Sequence, residues 1–254
     1  MLAITRGISP AFARCELTHL AREPIDLERA RRQHAAYEAA LRELGFRVEA
    51  LPPLPEHPDC VFVEDVAVVL DEVAVIARPG AESRRGEESA VAEALAPHRP
   101  LVRVAAPGTL DGGDVLRLGR RVFVGRTPRS NADGRRQLRD LLAPHGYEVV
   151  EVEVRGCLHL KSAVTAIGDG AVLMHPPWID TAPFAEVERV EVDPEEPYAA
   201  NVLRIGDTVV MPAAFPRTAV RLASRGLYVR ALEVDELAKA EGAVTCCSVL
   251  VGSG

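Results

Sequence analysis

The sequence predicts an α/β fold of five ββαβ-type repeats, a pseudo-fivefold α/β propeller whose site lies on the central axis. Three observations predict it. Helix-like stretches repeatedly lead into short valine-rich strands, hairpins recur between these pairs, and two of the hairpins superpose at a constant offset of 49 residues. Helix–strand alternation alone would also suit a doubly wound sheet. Hairpins after every parallel connection fit that architecture poorly, so the propeller is preferred, as a single domain over residues 1–254.

Each element follows from local pattern. Residues 26–44 read as a helix with Asp26 as N-cap, Gly45 as its stop, and Leu27, Ala30, His34, Tyr37, Leu41 and Leu44 facing the core. A strand follows at 48–51. Residues 86–96 and 132–142 repeat the helix, with strands at 101–105 and 149–154. Weaker copies are 183–187 before 190–192, and 216–225 before 229–234. The hairpins turn at Asp71-Glu72, Gly119-Arg120-Arg121, Gly168-Asp169-Gly170 and Gly206-Asp207, each between apolar strands. The segment 244–251 has no partner downstream, and residues 1–7 are expected to close it as the missing outer strand.

Composition limits the function classes. With 254 residues, 48% hydrophobic and 26% charged, the chain can bury a sizeable core and looks like an ordinary soluble protein. No run approaches the roughly 18 apolar residues of a membrane span. Residues 1–6 carry no secretory pattern, so a cytoplasmic protein without a membrane partner is expected. A net charge of −7 argues against nucleic acid, whose phosphates want a basic face, and suits a small cationic ligand better. Five cysteines without CxxC spacing do not make a disulfide scaffold. Most of them read as small buried hydrophobes. Cys246-Cys247 stands apart, because vicinal cysteines rarely bridge each other and so leave free thiols.

The repeat register carries the chemistry. Asp111 in the second module and His159 in the third hold equivalent positions 48 residues apart, each on an inner strand preceding its hairpin. Cys246 falls at nearly the same place in the fifth. Symmetry-related positions converge at the axis of a propeller, where these three would supply the orienting acid, the base and the nucleophile of covalent catalysis. Taken singly, each has a plainer explanation: an inert core thiol, a structural histidine, a turn at Asp111-Gly112-Gly113-Asp114. Their shared register is what makes them one site.

The local contexts carry a resemblance. Cys60-Val61-Phe62-Val63-Glu64-Asp65, Leu110-Asp111-Gly112-Gly113-Asp114-Val115-Leu116, Leu158-His159-Leu160-Lys161-Ser162 and Glu241-Gly242-Ala243-Val244-Thr245-Cys246-Cys247-Ser248 resemble segments of the dimethylarginine dimethylaminohydrolases. Arg78-Pro79-Gly80-Ala81 with Ser83-Arg84-Arg85 is a further match, and the likeness runs in order over nearly the whole chain. That family belongs to the guanidine-modifying pentein superfamily of pseudo-fivefold α/β propellers, in agreement with the repeats.

The resemblance implies Cys246 as nucleophile, His159 as general acid and base, and Asp111 as its orienting acid. It implies Glu64 and Asp65 against the guanidinium, Asp59 against the substrate α-amino group, and Arg84 with Arg129 on the α-carboxylate. Leu17 and Ala240 would offer backbone carbonyls to the ammonium. No metal or organic cofactor is implied. The expected partner is a small molecule, methylated arginine or arginine, and a homodimer is left open. The residue types suit this chemistry, since acidic groups orient a guanidinium and a thiolate is the strongest side-chain nucleophile for its poorly electrophilic carbon. An arginine deiminase or amidinotransferase would use the same groups. A non-enzymatic ribosome-binding propeller fits the acidic charge and the complete cysteine–histidine–acid set badly. A soft-metal site at Cys246, Cys247 and His159 lacks a fourth ligand.

Overall fold

In a computed structural model the structure describes residues 1–168 and 170–252; Asp169, in the third expected hairpin turn, lies outside the described residues. Strand β1 (Leu2–Arg6) leads through helix α1 (Leu27–Glu43) to β2 (Arg47–Leu51). The next unit comprises β3 (Ala67–Val69), β4 (Ala74–Ile76), α2 (Glu88–Leu95) and β5 (Leu101–Arg103). Then come β6 (Val115–Leu118), β7 (Arg121–Arg126), α3 (Ala132–Leu142) and β8 (Glu148–Glu153). The third hairpin unit holds α4 (Leu160–Ala163), β9 (Val164–Gly168), β10 (Ala171–Met174) and β11 (Glu188–Glu191). The chain finishes with β12 (Leu203–Ile205), β13 (Thr208–Pro212), α5 (Pro216–Ala223), β14 (Tyr228–Leu232), α6 (Asp235–Ala238) and β15 (Val249–Val251).

These strands form five three-stranded sheets on one plan. The middle strand pairs antiparallel with the inner strand and parallel with the outer one, as where Leu116 faces Phe123 and Phe123 faces Val150. The inner strands touch around the axis, β15 against β3, β6 against β9, and β9 against β12. The pseudo-fivefold propeller is the fold found.

The chain ends meet, with Ala3 opposite Leu250, but β1 is the middle strand of its sheet rather than the outer one. All five β1 residues are buried, whereas β2 is half exposed. A strand with no solvated face needs neighbours on both sides, and the half-polar β2 can serve as the edge.

The apolar cores lie in the seams between neighbouring sheets. α2 places Val91, Ala92 and Leu95 between the sheet of β1 and that of β3, and α3 places Leu138 and Leu142 in the next seam. α5 contributes Leu222, and α1 contributes Ala30, Tyr37 and Leu41. Helix α1 starts where expected, because the Asp26 side chain accepts a hydrogen bond from Arg29 N (3.0 Å), and it stops before Gly45 at φ 90°. The expected helix at 183–187 is instead a single 3-10 turn, Ala182–Phe184. With Pro183 in so short a segment, one ring does the work of a helix face: Phe184 stacks on Phe123 with centroids 4.4 Å apart. No helix among the described residues is long and apolar enough to cross a membrane.

Burying these faces in the seams leaves polar groups for the axis, and that is where the site forms.

Candidate active site

The site residues stand not on the inner strands but on short helical turns just before them. Asp111 precedes the 3-10 turn Gly112–Asp114, His159 precedes α4, Glu64 and Asp65 lie within the turn Val63–Val66, and Cys246 lies in turns ahead of β15. A strand would alternate its side chains between two faces, whereas a turn at the axis can aim several toward one point.

Three equivalent hydrogen bonds tie the turns together. Asp65 Oδ1 accepts from Gly113 N (3.0 Å), Asp114 Oδ1 from Leu160 N (3.0 Å) and Asn201 Oδ1 from Thr245 N (3.1 Å). Each buried polar side chain grips the backbone beside the next candidate residue, so Asp111, His159 and Cys246 are held relative to one another. Asp114 and Asn201 carried no assignment from sequence, although the 49-residue equivalence of Asp65 and Asp114 was visible there.

His159 Nε2 donates to Asp111 Oδ2 at 3.0 Å, and Asp111 Oδ1 is fixed by Gly80 N at 2.8 Å. This leaves Nδ1, 3.9 Å from Asp65 Oδ1, facing the interior. Burial alone would lower the His159 pKa, but Asp65, the Asp111 hydrogen bond and Asp114 outweigh it and raise it to about 9. Below that pH the ring is an imidazolium. At Cys246 burial and the carboxylates act in the same direction: burial, then Glu64 and Asp65, push its thiol up to about 12, while Ala243 N (3.4 Å to Sγ) and Lys161 pull weakly the other way. Burial also works to raise Asp65, yet His159 and Arg84 hold it below the usual carboxylate range.

Cys246, His159, Asp59, Asp65, Arg129 and Ala240 line one cavity of about 20 Å³. Asp59 is buried there and accepts from Glu16 N (3.1 Å). Arg129 points toward Asp111 (3.9 Å) and donates to Thr18 Oγ1 (3.4 Å). Arg84 borders the cavity but is largely engaged: it binds Asp65 and Glu87 and donates to the carbonyls of Asp59 and Phe62. A guanidinium has five N–H donors, so little of Arg84 remains for a ligand, and holding Asp65 is the role its contacts support. Glu87, its buried partner, carried no sequence signal.

Two other expected residues stand apart. Glu64 turns away from this cavity, pairs with Lys161 and accepts from Thr245 Oγ1 (2.7 Å), lining a second cavity of about 250 Å³. Leu17 is half-buried against the α1 core and does not line the cavity, where its neighbour Glu16 does. Cys247 is fully buried in that core with its thiol directed at Ala243 O (3.5 Å). Asp65, Asp111 and His159 bring potential cation ligands within 4.8 Å of one another. A metal would need a neutral imidazole and several free carboxylate oxygens at once, but the ring is an imidazolium held by Asp111, and Arg84, Gly113 N and Gly80 N each engage a carboxylate oxygen, so the group fits a metal poorly, while Asp65 keeps lone pairs for a hydrogen-bonding cation.

Gly113 makes room for the ring. A Cβ there would lie 2.7 Å from both His159 Nδ1 and Asp65 Oδ1. Gly113→Ala should therefore displace the imidazole and cut kcat by about a hundredfold, since an ångström of misplacement costs that much. Circular dichroism should show the fold retained; unchanged kcat would show that the ring needs no such clearance.

The family model described as N,N dimethylarginine dimethylhydrolase, eukaryotic, matches residues 18–192. The chain is 45% identical to the N(G),N(G)-dimethylarginine dimethylaminohydrolase of Streptomyces coelicolor, over 97% of this chain and 95% of that one. It superposes on a cysteine-to-serine variant of the Pseudomonas aeruginosa enzyme complexed with citrulline, with TM-score 0.92, 33% identity and 97% of both chains covered. The N-terminal domain of the cyanobacterial arginine dihydrolase ArgZ, at 22% identity and TM-score 0.84 over 98% of this chain and 97% of that one, shares the fold.

Proposed function

The chain belongs to the dimethylarginine dimethylaminohydrolase family, and we propose that it hydrolyses asymmetric dimethylarginine to citrulline and dimethylamine through a thiouronium on Cys246. One observation carries the assignment of roles: the Asp111–His159 pair, bonded at 3.0 Å, reaches through His159 into the cavity of the Cys246 thiol, Asp59, Asp65 and Arg129. An amino acid with a cationic tail matches that set. Its ammonium suits Asp59, its carboxylate suits Arg129, and its guanidinium suits Asp65.

The charges set the order of events. Carboxylates help raise the free thiol to about 12, so a cation seated against Asp65 offsets them and favours the thiolate, its proton passing to solvent. The thiolate adds to the guanidinium carbon, breaking the C=N π bond and leaving a tetrahedral adduct. His159, protonated at Nδ1, gives that proton to the dimethylamine nitrogen as the C–N bond breaks. Neutral His159 then takes a proton from the water that attacks the S-bound carbon. The C–S bond breaks, returning the thiol and releasing citrulline with its new carbonyl oxygen.

Arginine and its dimethylated form carry the same charge, so Coulomb attraction cannot separate them; the methyls must. A pocket that accepts methyl groups gains about 1–3 kcal/mol for each group of that size. The expected result is kcat/KM at least about tenfold higher for asymmetric dimethylarginine than for arginine. The measurement is citrulline release from each. Faster release from arginine would make the protein a deiminase of the same chemistry.

A further inference from the structure

We propose that Glu241 is a positioning residue that latches a lid, residues 15–20, over the substrate of the hydrolase site described above. Three consecutive backbone N–H groups converge on its carboxylate: Thr18 N at 3.1 Å from both oxygens, His19 N, and Leu20 N at 2.7 Å. Successive N–H groups curled round one anion form a strong charge-assisted clasp. Glu241 sits between Ala240 and Cys246 in the chain, so the clasp joins the lid to the segment that carries the nucleophile.

The backbone turns sharply at this residue. Glu241 has φ 58°, a left-handed conformation found at no other non-glycine residue among those described. Such a conformation costs a side-chain-bearing residue energy and marks positions where the surroundings demand it. Here the residue closes the turn that ends α6, with Glu241 N donating to Ala238 O (3.0 Å) and Gly242 N to Leu237 O (3.1 Å), and the fixed turn presents the Glu241 carboxylate to the lid amides.

Ser83 Oγ donates to Glu16 Oε1 (2.5 Å) and Arg22 to Cys15 O (2.6 Å) at the start of the lid, but the two ties nearest the substrate differ in kind. Glu16 N is bound by Asp59 and Thr18 Oγ1 by Arg129, the same two groups proposed to hold the substrate's ammonium and carboxylate. An arriving substrate competes for both. Glu241 has no such second duty and can keep the lid down while Asp59 and Arg129 turn to the ligand. With the lid fastened, the inner cavity measures about 20 Å³, little more than the space of a water. Beyond Glu241 lies an apolar cavity of about 480 Å³ bordered by His19, Leu20 and Cys246. Glu241 borders both spaces, so releasing the clasp joins them and admits substrate. The latch therefore governs how long substrate stays, not how the bond breaks.

The test uses the full chain with Glu241→Gly and Glu241→Gln. Glycine accepts the left-handed backbone without strain, so E241G removes the carboxylate and spares the fold. Hydrogen exchange of the Thr18, His19 and Leu20 amides should quicken at least about tenfold in E241G and less in E241Q, with protection elsewhere unchanged. KM for asymmetric dimethylarginine should rise about fivefold or more while kcat stays within about threefold. Unchanged exchange at these amides in E241G would overturn the latch, and so would faster exchange with unaltered KM. Loss of kcat at constant KM would also overturn it, moving Glu241 into the chemistry. The exchange readout needs no substrate, so a wrong substrate assignment would leave it able to decide.

Discussion

Cys246→Ser should abolish citrulline release, with kcat falling by a factor on the order of 10⁶, as removal of a covalent nucleophile does elsewhere. Serine keeps the shape of the side chain, but an alcohol beside Glu64 and Asp65 has no accessible ionised form, and no base touches it: His159 Nε2 is committed to Asp111 and the ring is protonated below about 9. Cys247→Ser is the internal control. Cys247 faces the core, away from the cavity, and its thiol meets only Ala243 O at 3.5 Å among the bonds it makes. A hydroxyl there can donate to the same carbonyl, so stability falls by about 1–3 kcal/mol for the buried polar group while kcat stays within about tenfold. Turnover and thermal melts of both variants distinguish the two thiols. Equal loss of turnover in both, with folding intact, would reject Cys246 as the nucleophile.

Asp111→Asn should lower kcat by about 10⁴ with little change in KM, the size of loss seen when an orienting acid is made an amide. Asp111 is fully buried, takes Gly80 N on one oxygen and His159 on the other, and does not line the cavity. An amide keeps the shape but can present an N–H to Nε2, which favours the wrong tautomer. It also removes a charge that holds the proton on His159. In the complex, where the seated cation has already favoured the thiolate, turnover needs the imidazolium that the free protein keeps below about 9, so kcat should fall at alkaline pH in the parent, and the fall should begin at lower pH in the variant. Stability follows the same sign: a His pKa raised from 6.5 to about 9 contributes fully below 6.5 and is lost as pH rises through about 9. A pH–rate series against a melt series checks both. A rise in KM alone would make Asp111 a substrate ligand instead.

What was legible in the sequence was local or periodic. Asp26 and Gly45 bound α1 because capping depends on a few adjacent residues. The 49-residue hairpin offset survived folding because each sheet buries its own apolar strand faces in a seam. The register of Asp111, His159 and Cys246 pointed to one axis, where Asp111 bonds His159 and His159 shares its cavity with Cys246. The helix expected at 183–187 failed for the converse reason: a weak local signal yielded to a single long-range stack of Phe184 on Phe123.

By itself, then, the sequence determined the five α/β units, their order and the family, and singled out Asp111, His159 and Cys246 as one candidate set, because patterning and motif are properties of short segments. Only the tertiary structure decided where those side chains point. Glu64 faces Lys161, 97 residues away, rather than the thiol. Arg84 is engaged by Asp65 and Glu87, and β1 takes the middle of its sheet because β15 and β2 arrive on either side. Glu241 reaches a lid 221 residues earlier in the chain. Each of these turns on which distant donor meets a carboxylate or a strand edge, and where the pair is buried, as at Arg84 and Asp65, a low-dielectric interior makes it outweigh local preference.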